Sequence, residues 1–449
     1  MIPAMAAQAF RDGSIWRLRP HGLRAWVLCW VILPNIGCWL LWSIGAPGRT
    51  TQVFVIGAIG VLIRNRPYWL RCTVFLTATL YSAMTFLSGL FNLPAYDLVS
   101  SVGYLFEMRV VGSSFYVVAA VAAVVILVLG VLVLRRRTPL PNNRSMALAI
   151  GFTLAMAGVD SMMTFDTKGD YGRAMAGEMP FASAVTRSGF VAHPKRDRHL
   201  MLVMVESLGL PTDRVFRERL LARWRRPDIA ERYRVTMGTS PYAGSTTNAE
   251  MRALCGRWGR YEEVIDTADT RCLPAHLKAT GYQTTAFHSF DGGMFERNIW
   301  YRNIGFEQTA FREKLFAAGA HECGGLFIGA CDRDVPAILA AKLKAARTPQ
   351  FVYWLTLNSH LPVPADAGLH TDHCRSDVPA VVAGSAMICR QFIIWDELMD
   401  ALGKQLTDPA FPKTDILLVG DHMPPYLLRA EREQFDPMQV PWVLLRDKR

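Results

Sequence analysis

The sequence predicts a protein of two parts: a five-helix transmembrane domain, residues 1–163, and an α/β domain, residues 199–449, whose mostly parallel sheet is sandwiched by helices. Two observations predict this fold class. Long apolar runs fill the first third of the 449-residue chain, whereas the remainder has the mixed composition of a globular domain. Within that remainder, short continuous apolar runs bounded by polar residues suit buried strands of a parallel sheet. The polar residues 164–198 are expected to form a linker along the membrane surface.

Five apolar segments in the first third are candidates for membrane crossing. They cover about residues 25–46, 50–64, 69–91, 114–134 and 146–163. A helix needs roughly 20 apolar residues to cross the hydrocarbon core, and all segments but the second reach or approach that length. Segment 50–64 is therefore the weakest candidate. No cleavage pattern follows the first segment, so we expect it not to be a cleaved signal peptide.

Basic residues predict the orientation of these segments. Arginines precede the first segment and fill the connections after the second and the fourth: Arg11, Arg17, Arg19, Arg24, Arg64, Arg66, Arg71, Arg135, Arg136, Arg137 and Arg144. The opposite connections hold only Arg49 and Arg109. By the positive-inside rule the N-terminus is cytoplasmic, and five crossings place the loop 92–113 and everything after about Ser161 outside. This pattern predicts a multi-pass protein of the bacterial cytoplasmic (inner) membrane, with its α/β domain periplasmic or extracellular.

The nine cysteines divide into two groups. Cys29, Cys38 and Cys72 lie in apolar segments, where a thiol behaves as a small hydrophobic group. The other six fall in the polar part, and no two of them have C-x-x-C spacing: Cys255, Cys272, Cys323, Cys331, Cys374 and Cys389. This even number predicts two or three disulfides in an oxidising compartment, with the connectivity left open. Buried free thiols are the alternative.

The net charge of +11 does not indicate nucleic-acid binding. The arginines cluster beside the apolar segments, which is the pattern of membrane flanks. The sequence contains no zinc-finger spacing, no basic arm and no interleaving of basic with aromatic residues. We therefore expect a membrane, and no nucleic acid, as a partner.

Four apolar runs of the C-terminal part are interpreted as buried strands, and each leads into a potential ligand or catalytic side chain. The runs are His199–Val205, Tyr282–Phe287, Phe351–Leu357 and Asp415–Val419. The side chains that follow them are Glu206, His288, His360 and the pair Asp421 and His422. Because the carboxyl ends of parallel strands meet at one edge of a sheet, these residues are expected to share a site. For each residue taken alone, an ordinary cap or surface polar group is the alternative.

The stretch Ser240–Glu250 combines turn-forming residues with two threonines at a predicted helix start. Thr247 or Asn248 is expected to cap this helix, which continues to Leu254. A hydroxyl at a helix N-terminus lies in a positive local field, where an incoming phosphate or a metal-bound alkoxide is stabilised. From the residues alone, Thr246 and Thr247 are both candidate nucleophiles. An ordinary capping role is the alternative.

A histidine, an acid and an arginine lie within ten residues at the end of the second predicted strand. Arg297 has the fork of donors that binds a phosphate, and His288 is a second donor. Asp291 lies between them in sequence. We treat these three as candidate substrate-binding residues for a phosphate head group, with isolated surface polar groups as the alternative.

Five motifs in this order resemble the alkaline phosphatase/sulfatase superfamily. They are Val205–Leu208, Gly244–Glu250, His288 with Arg297 and Tyr301–Phe306, Asn358–Pro362, and Gly420–His422. Within the superfamily the sequence is similar to the membrane-bound phosphoglycerol and phosphoethanolamine transferases, the group that includes lipoteichoic acid synthase. That group has five transmembrane helices before an extracytoplasmic catalytic domain, so the resemblance covers nearly the whole chain. It implies an alkaline phosphatase-like fold for the C-terminal part.

The resemblance also implies a role for each strand-end residue. It implies metal ligands at Glu206, Thr246, Asp421 and His422. It implies a nucleophile at Thr246 and phosphate-binding residues at His288, Arg297 and His360. Carboxylate, imidazole and hydroxyl ligands suit one Zn²⁺ or Mn²⁺ ion. The segment Cys272–His276 is similar to the C-x-P-x-R signature of formylglycine sulfatases, but histidine replaces the arginine, and we reject it as such a site.

These features together predict a metal-dependent transferase. In this hypothesis Thr246 attacks the phosphorus of a phospholipid donor, and diacylglycerol leaves. A hydroxyl of a glycan or lipid acceptor then takes the phosphoglycerol or phosphoethanolamine group from the phosphothreonine, while His360 protonates or orients one of the oxygens. We expect a monomer. The alternatives are a phosphodiesterase or sulfatase-like hydrolase of the same superfamily, and a non-catalytic membrane scaffold.

Overall fold

A computed structural model of the chain divides it into two units. The structure describes residues 20–42, 46–91, 114–135, 140, 142–165, 180–192, 197–374 and 376–449. The helical unit comprises Met1–Ala95 and Ser114–Tyr171, and the sheet unit comprises Tyr96–Ser113 and Gly172–Arg449. The predicted outer loop 92–113 and most of the predicted linker 164–198 lie outside the described residues.

The helical unit consists of apolar helices. They are α1 (Pro20–Val27), which continues through the π-helical Leu28–Ile32 into α2 (Leu33–Trp39), then α3 (Thr50–Leu62), α4 (Tyr68–Phe91), α5 (Ser114–Arg135) and α6 (Asn143–Met163). Among the described residues, the stretches long and apolar enough to cross a membrane are Gly22–Trp39, Tyr68–Gly89, Val117–Arg135 and Asn143–Met163. Helix α3 is apolar but has only 13 residues, fewer than the roughly 17 of a short span. Among the described residues, each of the five predicted apolar segments is therefore largely helical, and their sidedness stays a prediction.

Two buried charged side chains join the helices of this unit. Asp160 in α6 is fully buried and accepts hydrogen bonds from Trp42 Nε1 at 3.1 Å, the Arg49 backbone N–H at 2.6 Å and Thr50 Oγ1 at 2.9 Å. Arg49 Nη1 donates to Thr85 Oγ1 in α4 at 3.2 Å. Because charged groups are costly in hydrocarbon unless they are bonded, these contacts hold the start of α3 to α4 and α6.

A seven-stranded sheet organises the second unit, beside a small two-stranded sheet. The strands are β1 (His199–Val205), β2 (Tyr233–Pro241), β3 (Gln283–His288), β4 (Gln308–Ala310), β5 (Glu322–Cys323), β6 (Gly329–Ala330), β7 (Gln350–Leu355), β8 (Thr414–Gly420) and β9 (Gln439–Asp447). The order across the main sheet is β2-β9-β8-β1-β7-β3-β4. All neighbours from β8 to β4 are parallel, whereas β9 and β2 are antiparallel to their neighbours. The predicted mostly parallel sheet is confirmed.

Helices connect these strands. They are α7 (Ala184–Arg187), α8 (Arg214–Leu220), α9 (Pro227–Arg232), α10 (Thr246–Leu254), α11 (Leu273–Ala279), α12 (Arg297–Asn303), α13 (Arg312–Ala317), α14 (Val335–Ala345), α15 (Ala380–Ala383), α16 (Ala386–Thr407) and α17 (Arg429–Arg432). Helix α16 contributes a buried stripe that includes Phe392, Trp395 and Leu398, spaced three residues apart as an amphipathic helix requires. These side chains belong to the same hydrophobic core as β1 and β8.

Strand β2 brings the predicted nucleophile stretch to the edge where the parallel strands end. Strand β2 is antiparallel to β9, and β9 is antiparallel to β8, so β2 runs in the same direction as β8. After Pro241 the chain turns through Gly244, with φ of +80°, into α10. A side chain at Gly244 would also lie 2.1 Å from Asn248 Oδ1, so that both the backbone angle and the packing require glycine.

The six cysteines of the sheet unit form three disulfides. They are Cys255–Cys272, Cys323–Cys331 and Cys374–Cys389, whereas Cys29, Cys38 and Cys72 are free thiols. The prediction of two or three disulfides is confirmed, and the structure adds the connectivity. Because Cys255 directly follows α10 and Cys272 directly precedes α11, the first disulfide ties the end of α10 to the next helix.

The Cys255–Cys272 disulfide should stabilise the folded chain by about 3 kcal/mol, because it restricts a 17-residue loop in the unfolded chain. We expect the Cys255→Ser/Cys272→Ser variant to lose roughly this free energy of unfolding, measured by urea titration of the purified chain in detergent. The Cys72→Ser variant, which removes a thiol outside any disulfide, is the control. An unchanged unfolding midpoint in the double variant would contradict this assignment.

Candidate active site

Two acidic residues meet at the carboxyl ends of β1 and β8. The register of these parallel strands pairs Val205 with Gly420, so that Glu206 and Asp421 leave adjacent strands side by side. A side chain at Gly420 would lie 1.9 Å from the Leu208 carbonyl oxygen. Glycine is therefore required at this position for the two backbones to approach.

Glu206, Asp421 and His422 form a buried cluster. Among the described residues, one carboxylate oxygen of each acid and one ring nitrogen of His422 lie within 4.8 Å of one another. His422 Nε2 is 3.3 Å from Asp421 Oδ2 and 3.8 Å from Glu206 Oε1. No described residue donates a hydrogen bond of normal geometry to Asp421 Oδ2, although this oxygen is buried. An unsatisfied buried carboxylate oxygen indicates a place for a cation.

Thr246 is the first residue of α10, and its hydroxyl faces this cluster. Thr246 Oγ1 lies 3.2 Å from Glu206 Oε2 and 3.3 Å from His422 Nε2. The hydroxyl of Thr247 instead contacts Ser245 Oγ at 3.3 Å, in a buried position. Of the two candidate nucleophiles, Thr246 is therefore the one that the structure places at the cluster.

The N-cap of α10 is Ser245, so that the predicted cap at Thr247 or Asn248 is wrong by two or three residues. Asn248 completes the cap, because its Oδ1 accepts the Ser245 N–H at 3.0 Å. Consecutive polar residues all suit a cap, and the sequence pattern did not distinguish them. With Ser245 as the cap, Thr246 lies in the first helical turn, where the helix dipole favours a negatively charged oxygen.

The electrostatics of the cluster also favour a cation. Burial raises the pKa of Asp421 to about 7, although the N–H groups of His422 and Ser207 donate to its Oδ1. Burial, together with the neighbouring Asp421 carboxylate, raises the pKa of Glu206. Two adjacent buried carboxylates are stabilised in their charged forms by a bound divalent ion.

Three of the distances between the candidate ligand atoms fit a single divalent ion, and the 3.8 Å between His422 Nε2 and Glu206 Oε1 is slightly longer. Ligand atoms around a tetrahedral ion with bonds of about 2.0 to 2.2 Å lie about 3.3 to 3.6 Å apart. The pairs Thr246 with Glu206, Thr246 with His422, and Asp421 with His422 are separated by 3.2, 3.3 and 3.3 Å. Two carboxylates, one imidazole and one hydroxyl suit Zn²⁺ or Mn²⁺. The four residues therefore fit the predicted metal.

Three histidines at this edge share one hydrogen-bonding pattern. The Nδ1–H groups of His288, His360 and His422 donate to backbone carbonyl oxygens at 3.2, 2.8 and 2.9 Å. Because a carbonyl can only accept, Nδ1 carries the proton of the neutral ring in each case, and Nε2 is the acceptor or ligand atom. In His422 this Nε2 is the atom turned toward Thr246.

Burial favours the neutral forms of His288 and His360. Burial lowers the pKa of His288, and the positive charge of Arg297 lowers it further. Burial also lowers the pKa of His360, while Glu206 raises it and His422 lowers it. Since the charge of Glu206 acts on His360, its ring belongs to the electrostatic surroundings of the cluster.

Arg297 and Asp291 have other partners than the sequence hypothesis gave them. The buried Arg297 guanidinium donates to Glu250 Oε2 in α10, from Nε at 3.0 Å and from Nη2 at 2.8 Å. Asp291 Oδ1 accepts the N–H of Gly293 at 2.7 Å, and its Oδ2 lies 3.8 Å from Arg312 Nη2. None of these contacts joins either residue to the cluster of Glu206, Asp421 and His422. Their substrate-binding role stays a hypothesis.

Two residues that support the cluster were not found from the sequence. Ser207, with φ of +53°, donates its N–H to Asp421 Oδ1 at 2.7 Å and its hydroxyl to Glu206 Oε1 at 2.8 Å. Arg252 is buried, and its Nη2 donates to the Asp421 carbonyl oxygen at 3.0 Å. Ser207 directly follows a strand-end acid, and that position was an available signal. Arg252 gave none, because a charge within a helix usually indicates a solvated face.

A further buried carboxylate, that of Asp332, shapes the loop before His360. Asp332 Oδ2 accepts the N–H groups of Leu357 at 2.9 Å and Asn358 at 2.6 Å, and Oδ1 accepts the Ser289 hydroxyl at 2.7 Å. Burial raises the pKa of Asp332 to about 6, although these hydrogen bonds oppose the rise. This residue follows no long apolar run, and the sequence pattern therefore did not indicate it.

The Asp332 carboxyl should make folding depend on pH between about 4 and 6. Its pKa is about 6 in the folded chain and 3.8 ordinarily, so that the folded state holds the proton more tightly. Its contribution to stability therefore falls as pH rises through this window, by on the order of 2 to 3 kcal/mol. In urea titrations, the free energy of unfolding of Asp332→Asn relative to that of the wild-type chain should rise by that amount between pH 4 and pH 7. A difference that is independent of pH would contradict the assignment.

Comparison with solved structures finds partial similarities at low sequence identity. Lipoteichoic acid synthase LtaP from Listeria monocytogenes is 14% identical, with a TM-score of 0.46 over 64% of this chain and 72% of that chain. Phosphoglycerol transferase GacH from Streptococcus pyogenes, in complex with sn-glycerol-1-phosphate, is 17% identical, with a TM-score of 0.38 over 55% and 68%. The C-terminal periplasmic domain of EcEptC from Escherichia coli, in complex with Zn, is 14% identical, with a TM-score of 0.38 over 57% and 74%. No curated protein matches the sequence.

A protein-family comparison covers the sheet unit more fully. The sulfatase family model matches residues 198–442, which is more than half of the chain. The match starts one residue before β1 and extends into β9, and it includes Glu206, Thr246, Asp421 and His422. This agrees with the superfamily resemblance of the motifs and with the parallel sheet that carries them. The chain belongs to the sulfatase family.

Proposed function

We propose that this protein is a metal-dependent transferase, which moves a phosphoglycerol or phosphoethanolamine group from a phospholipid to a hydroxyl of a glycan or lipid acceptor. The position of Thr246 carries the proposal. Its hydroxyl lies in the first turn of α10, 3.2 Å from Glu206 and 3.3 Å from His422. A hydroxyl held in a metal cluster at a helix N-terminus is arranged to form a covalent bond to phosphorus.

The apolar helices support a lipid donor. Four of them are long and apolar enough to cross a membrane, among the described residues. A chain held in the bilayer meets its donor there, and the diacylglycerol that leaves stays in the lipid. The arginine pattern and the three disulfides support a sheet unit on the periplasmic or extracellular side of a bacterial inner membrane, because disulfides persist in oxidising compartments.

The metal ligands in this proposal are Glu206, Thr246, Asp421 and His422. A Zn²⁺ or Mn²⁺ ion bound there supplies positive charge that stabilises the threonine oxygen and the transferred group. The protein holds these ligands before the substrate arrives, since the N–H groups of Ser207 and His422 fix the Asp421 carboxylate at 2.7 and 2.6 Å. Such preorganised charges contribute strongly to catalysis.

In this proposal the reaction proceeds in two steps, through a phosphothreonine. In the first, a bond forms between Thr246 Oγ1 and phosphorus, and the bond from phosphorus to the diacylglycerol oxygen breaks. Thr246 loses its hydroxyl proton, and the departing oxygen gains one. In the second, the acceptor hydroxyl forms the bond to phosphorus, the bond to Thr246 breaks, and the acceptor's proton replaces the one that Thr246 lost. We assign His360 as the base for this step; its Nδ1–H donates to the Leu361 carbonyl oxygen, which leaves Nε2 of the neutral ring as an acceptor.

His288 is suited to the head group. Its Nδ1–H donates to the Leu355 carbonyl oxygen, so that Nε2 of the neutral ring is an acceptor. An acceptor nitrogen binds the hydroxyl of a phosphoglycerol group or the ammonium of a phosphoethanolamine group better than it binds a phosphate oxygen. We therefore assign His288 to the organic part of the transferred group.

A formylglycine sulfatase mechanism has no support in this chain. Cys272, the cysteine of the C-x-P-x-R-like segment, forms a disulfide with Cys255 and caps an ordinary helix. The residue at the metal cluster is instead Thr246. A hydrolase that passes the same phosphoryl group to water uses the same nucleophile, and the products distinguish it from a transferase.

Product analysis with labelled phospholipids tests the proposal. The full chain in lipid nanodiscs receives Zn²⁺ or Mn²⁺, a glycan or lipid acceptor, and phosphatidylglycerol or phosphatidylethanolamine labelled in the head group. We expect diacylglycerol and labelled acceptor in equal amounts. Free phosphoglycerol or phosphoethanolamine without an acceptor product would show a hydrolase instead. No turnover with any donor would favour the scaffold alternative.

A further inference from the structure

Glu250 is a fully buried carboxylate that joins three elements of the sheet unit. Its Oε2 accepts two hydrogen bonds from Arg297 at the start of α12, at 3.0 and 2.8 Å. Its Oε1 accepts the hydroxyls of Tyr301 in α12 and of Tyr353 in β7, the latter at 3.1 Å. The side chains of Glu250 and Arg297 are 0% and 3% exposed. A buried ion pair is tolerated when its partners satisfy it in this way, and removal of one partner leaves an uncompensated charge.

Glu250 also lies on the nucleophile helix. It follows Thr246 by four residues, which is about one helical turn, so both side chains lie on the same face of α10. A second anchor acts two residues later, where Arg252 Nη2 donates to the Asp421 carbonyl oxygen at 3.0 Å. Because the anchors leave the helix in different directions, together they fix its rotation and its position along its axis.

The rotation of α10 determines where the Thr246 hydroxyl lies. The helix has nine residues, and a helix this short is not stable without tertiary contacts. Its N-terminus follows the turn at Gly244, and its side chains Ala249, Met251 and Leu254 are fully buried in the core. The polar contacts of Glu250 and Arg252 act together with this packing and with the Cys255–Cys272 disulfide to keep Thr246 Oγ1 within 3.3 Å of Glu206 and His422.

The backbone before Arg297 adopts a strained conformation that brings this side chain to Glu250. Phe295 and Glu296 are consecutive non-glycine residues with φ of +55° and +54°. The strained pair starts α12 so that Arg297, its first residue, is directed inward, and the Phe295 ring lies 5.3 Å from the guanidinium carbon. Strain of this kind persists where the surrounding structure imposes it, and it is typical of functional sites.

The same contacts leave Arg297 poorly arranged for a phosphate. Nε and Nη2 donate to Glu250, and Nη1 donates to the Met294 carbonyl oxygen at 3.3 Å. A phosphate-binding arginine directs its fork of donors at the ligand, with its charge not neutralised by a carboxylate. Here the Glu250 carboxylate occupies the Nε and Nη2 edge of the guanidinium and neutralises its charge.

We propose that Glu250 and Arg297 form a positioning pair, which sets the rotation of α10 and thereby the place of the Thr246 hydroxyl, and that Arg297 acts on the reaction through this pair and does not bind the substrate phosphate. The inference rests on the proposed function, because it concerns the same nucleophile. It gives Arg297 a different task from the one that the resemblance implied.

Steady-state kinetics of the full chain in nanodiscs test this proposal. The variants are Glu250→Gln, Arg297→Gln, their double combination, and Tyr353→Phe, which removes one hydrogen bond and keeps the ion pair. We expect each charge variant to lower kcat by about 10²-fold, the effect of a misplacement of about 1 Å, with the donor KM within about twofold. The double variant should be no worse than either single variant, because both remove the same pair. Tyr353→Phe should lower kcat severalfold.

Arg302→Lys is the matched control, since Arg302 is an exposed arginine of the same helix, and it should leave kcat and KM unchanged. A raised donor KM in Arg297→Gln, with Glu250→Gln unaffected and the double variant additive, would restore the phosphate-binding role and overturn the proposal. If the charge variants fail to fold, Tyr353→Phe decides, and an unchanged kcat overturns it. If the Thr246→Ala variant transferred the group as fast as the wild-type chain, the proposed function would be overturned. The outcomes above overturn the positioning pair alone.

Discussion

The Thr246→Ala variant is expected to transfer the group about 10⁶-fold more slowly, which is the size of the effect when a catalytic nucleophile is removed. The hydroxyl lies 3.2 Å from Glu206 and 3.3 Å from His422, and the substitution removes it without disturbing the capping contacts of Ser245 and Asn248. The fold should therefore be kept while the reaction is lost. Transfer of labelled head group in nanodiscs, with circular dichroism of the same preparation, measures both.

Two neighbouring variants control for the effect of the substitution itself. Thr246→Ser keeps a hydroxyl at the cluster and should retain measurable transfer. Thr247→Ala removes a hydroxyl that contacts Ser245, and it should lower stability slightly while transfer stays within about tenfold of the wild-type rate. A Thr246→Ala variant as active as the Thr247→Ala variant would contradict the assignment of the nucleophile.

Loss of the metal should have the second largest effect. We expect chelation with EDTA, or the substitution Asp421→Asn, to lower the rate by about 10³-fold or more, because a bound ion stabilises transition-state charge by several kcal/mol. In Asp421→Asn the amide oxygen can still accept the Ser207 and His422 N–H groups, which now donate to Oδ1. The amide nitrogen that replaces Oδ2 cannot be a metal ligand.

Metal content distinguishes this effect from unfolding. After dialysis, inductively coupled plasma mass spectrometry should find about one Zn²⁺ or Mn²⁺ ion per wild-type chain and much less in Asp421→Asn. Addition of the ion should restore the EDTA-treated wild-type chain but not the variant. Asp372→Asn, at an exposed aspartate, should behave like the wild-type chain. Full activity after complete removal of the metal would show that the cluster serves another purpose.

The central strands could be predicted from the sequence because burial on both faces leaves a continuous apolar run. Strand β1 has the predicted bounds, His199–Val205, and β7 and β8 differ from their predictions by one or two residues. Strand β2 was missed. It lies at the edge of the sheet, and most of its residues are half-buried or exposed. The Trp442 ring packs directly against the backbone of Gly238, where a side chain would clash. Its first five residues do alternate, with Tyr233, Val235 and Met237 apolar and Arg234 and Thr236 polar, but this alternation is short and stops at Gly238, and it was overlooked.

Some residues of the candidate site could likewise be predicted from the sequence, whereas others could not. Glu206, His288, Asp421 and His422 were recognisable because each stands at or just after the end of an apolar strand. The partners of Glu250 come from α12 and β7, far away in the sequence, and no local pattern indicates a buried ion pair of this kind. Arg297 was named as a phosphate-binding candidate, and its partner Glu250 is known only from the fold. The disulfide connectivity likewise depends on the fold, since spacing alone allows several pairings.

Mass spectrometry of the intact protein tests the central claim most directly, because the account requires a covalent bond between Thr246 and the transferred group. The full chain is incubated with metal and with phosphatidylglycerol or phosphatidylethanolamine, without an acceptor, and is then denatured in acid. The account predicts one added phosphoglycerol or phosphoethanolamine mass, which peptide fragmentation places on Thr246 and which is absent from Thr246→Ala. The account would be contradicted by an adduct on Thr247 or elsewhere, or by the lack of an adduct with every donor under conditions where the enzyme turns over.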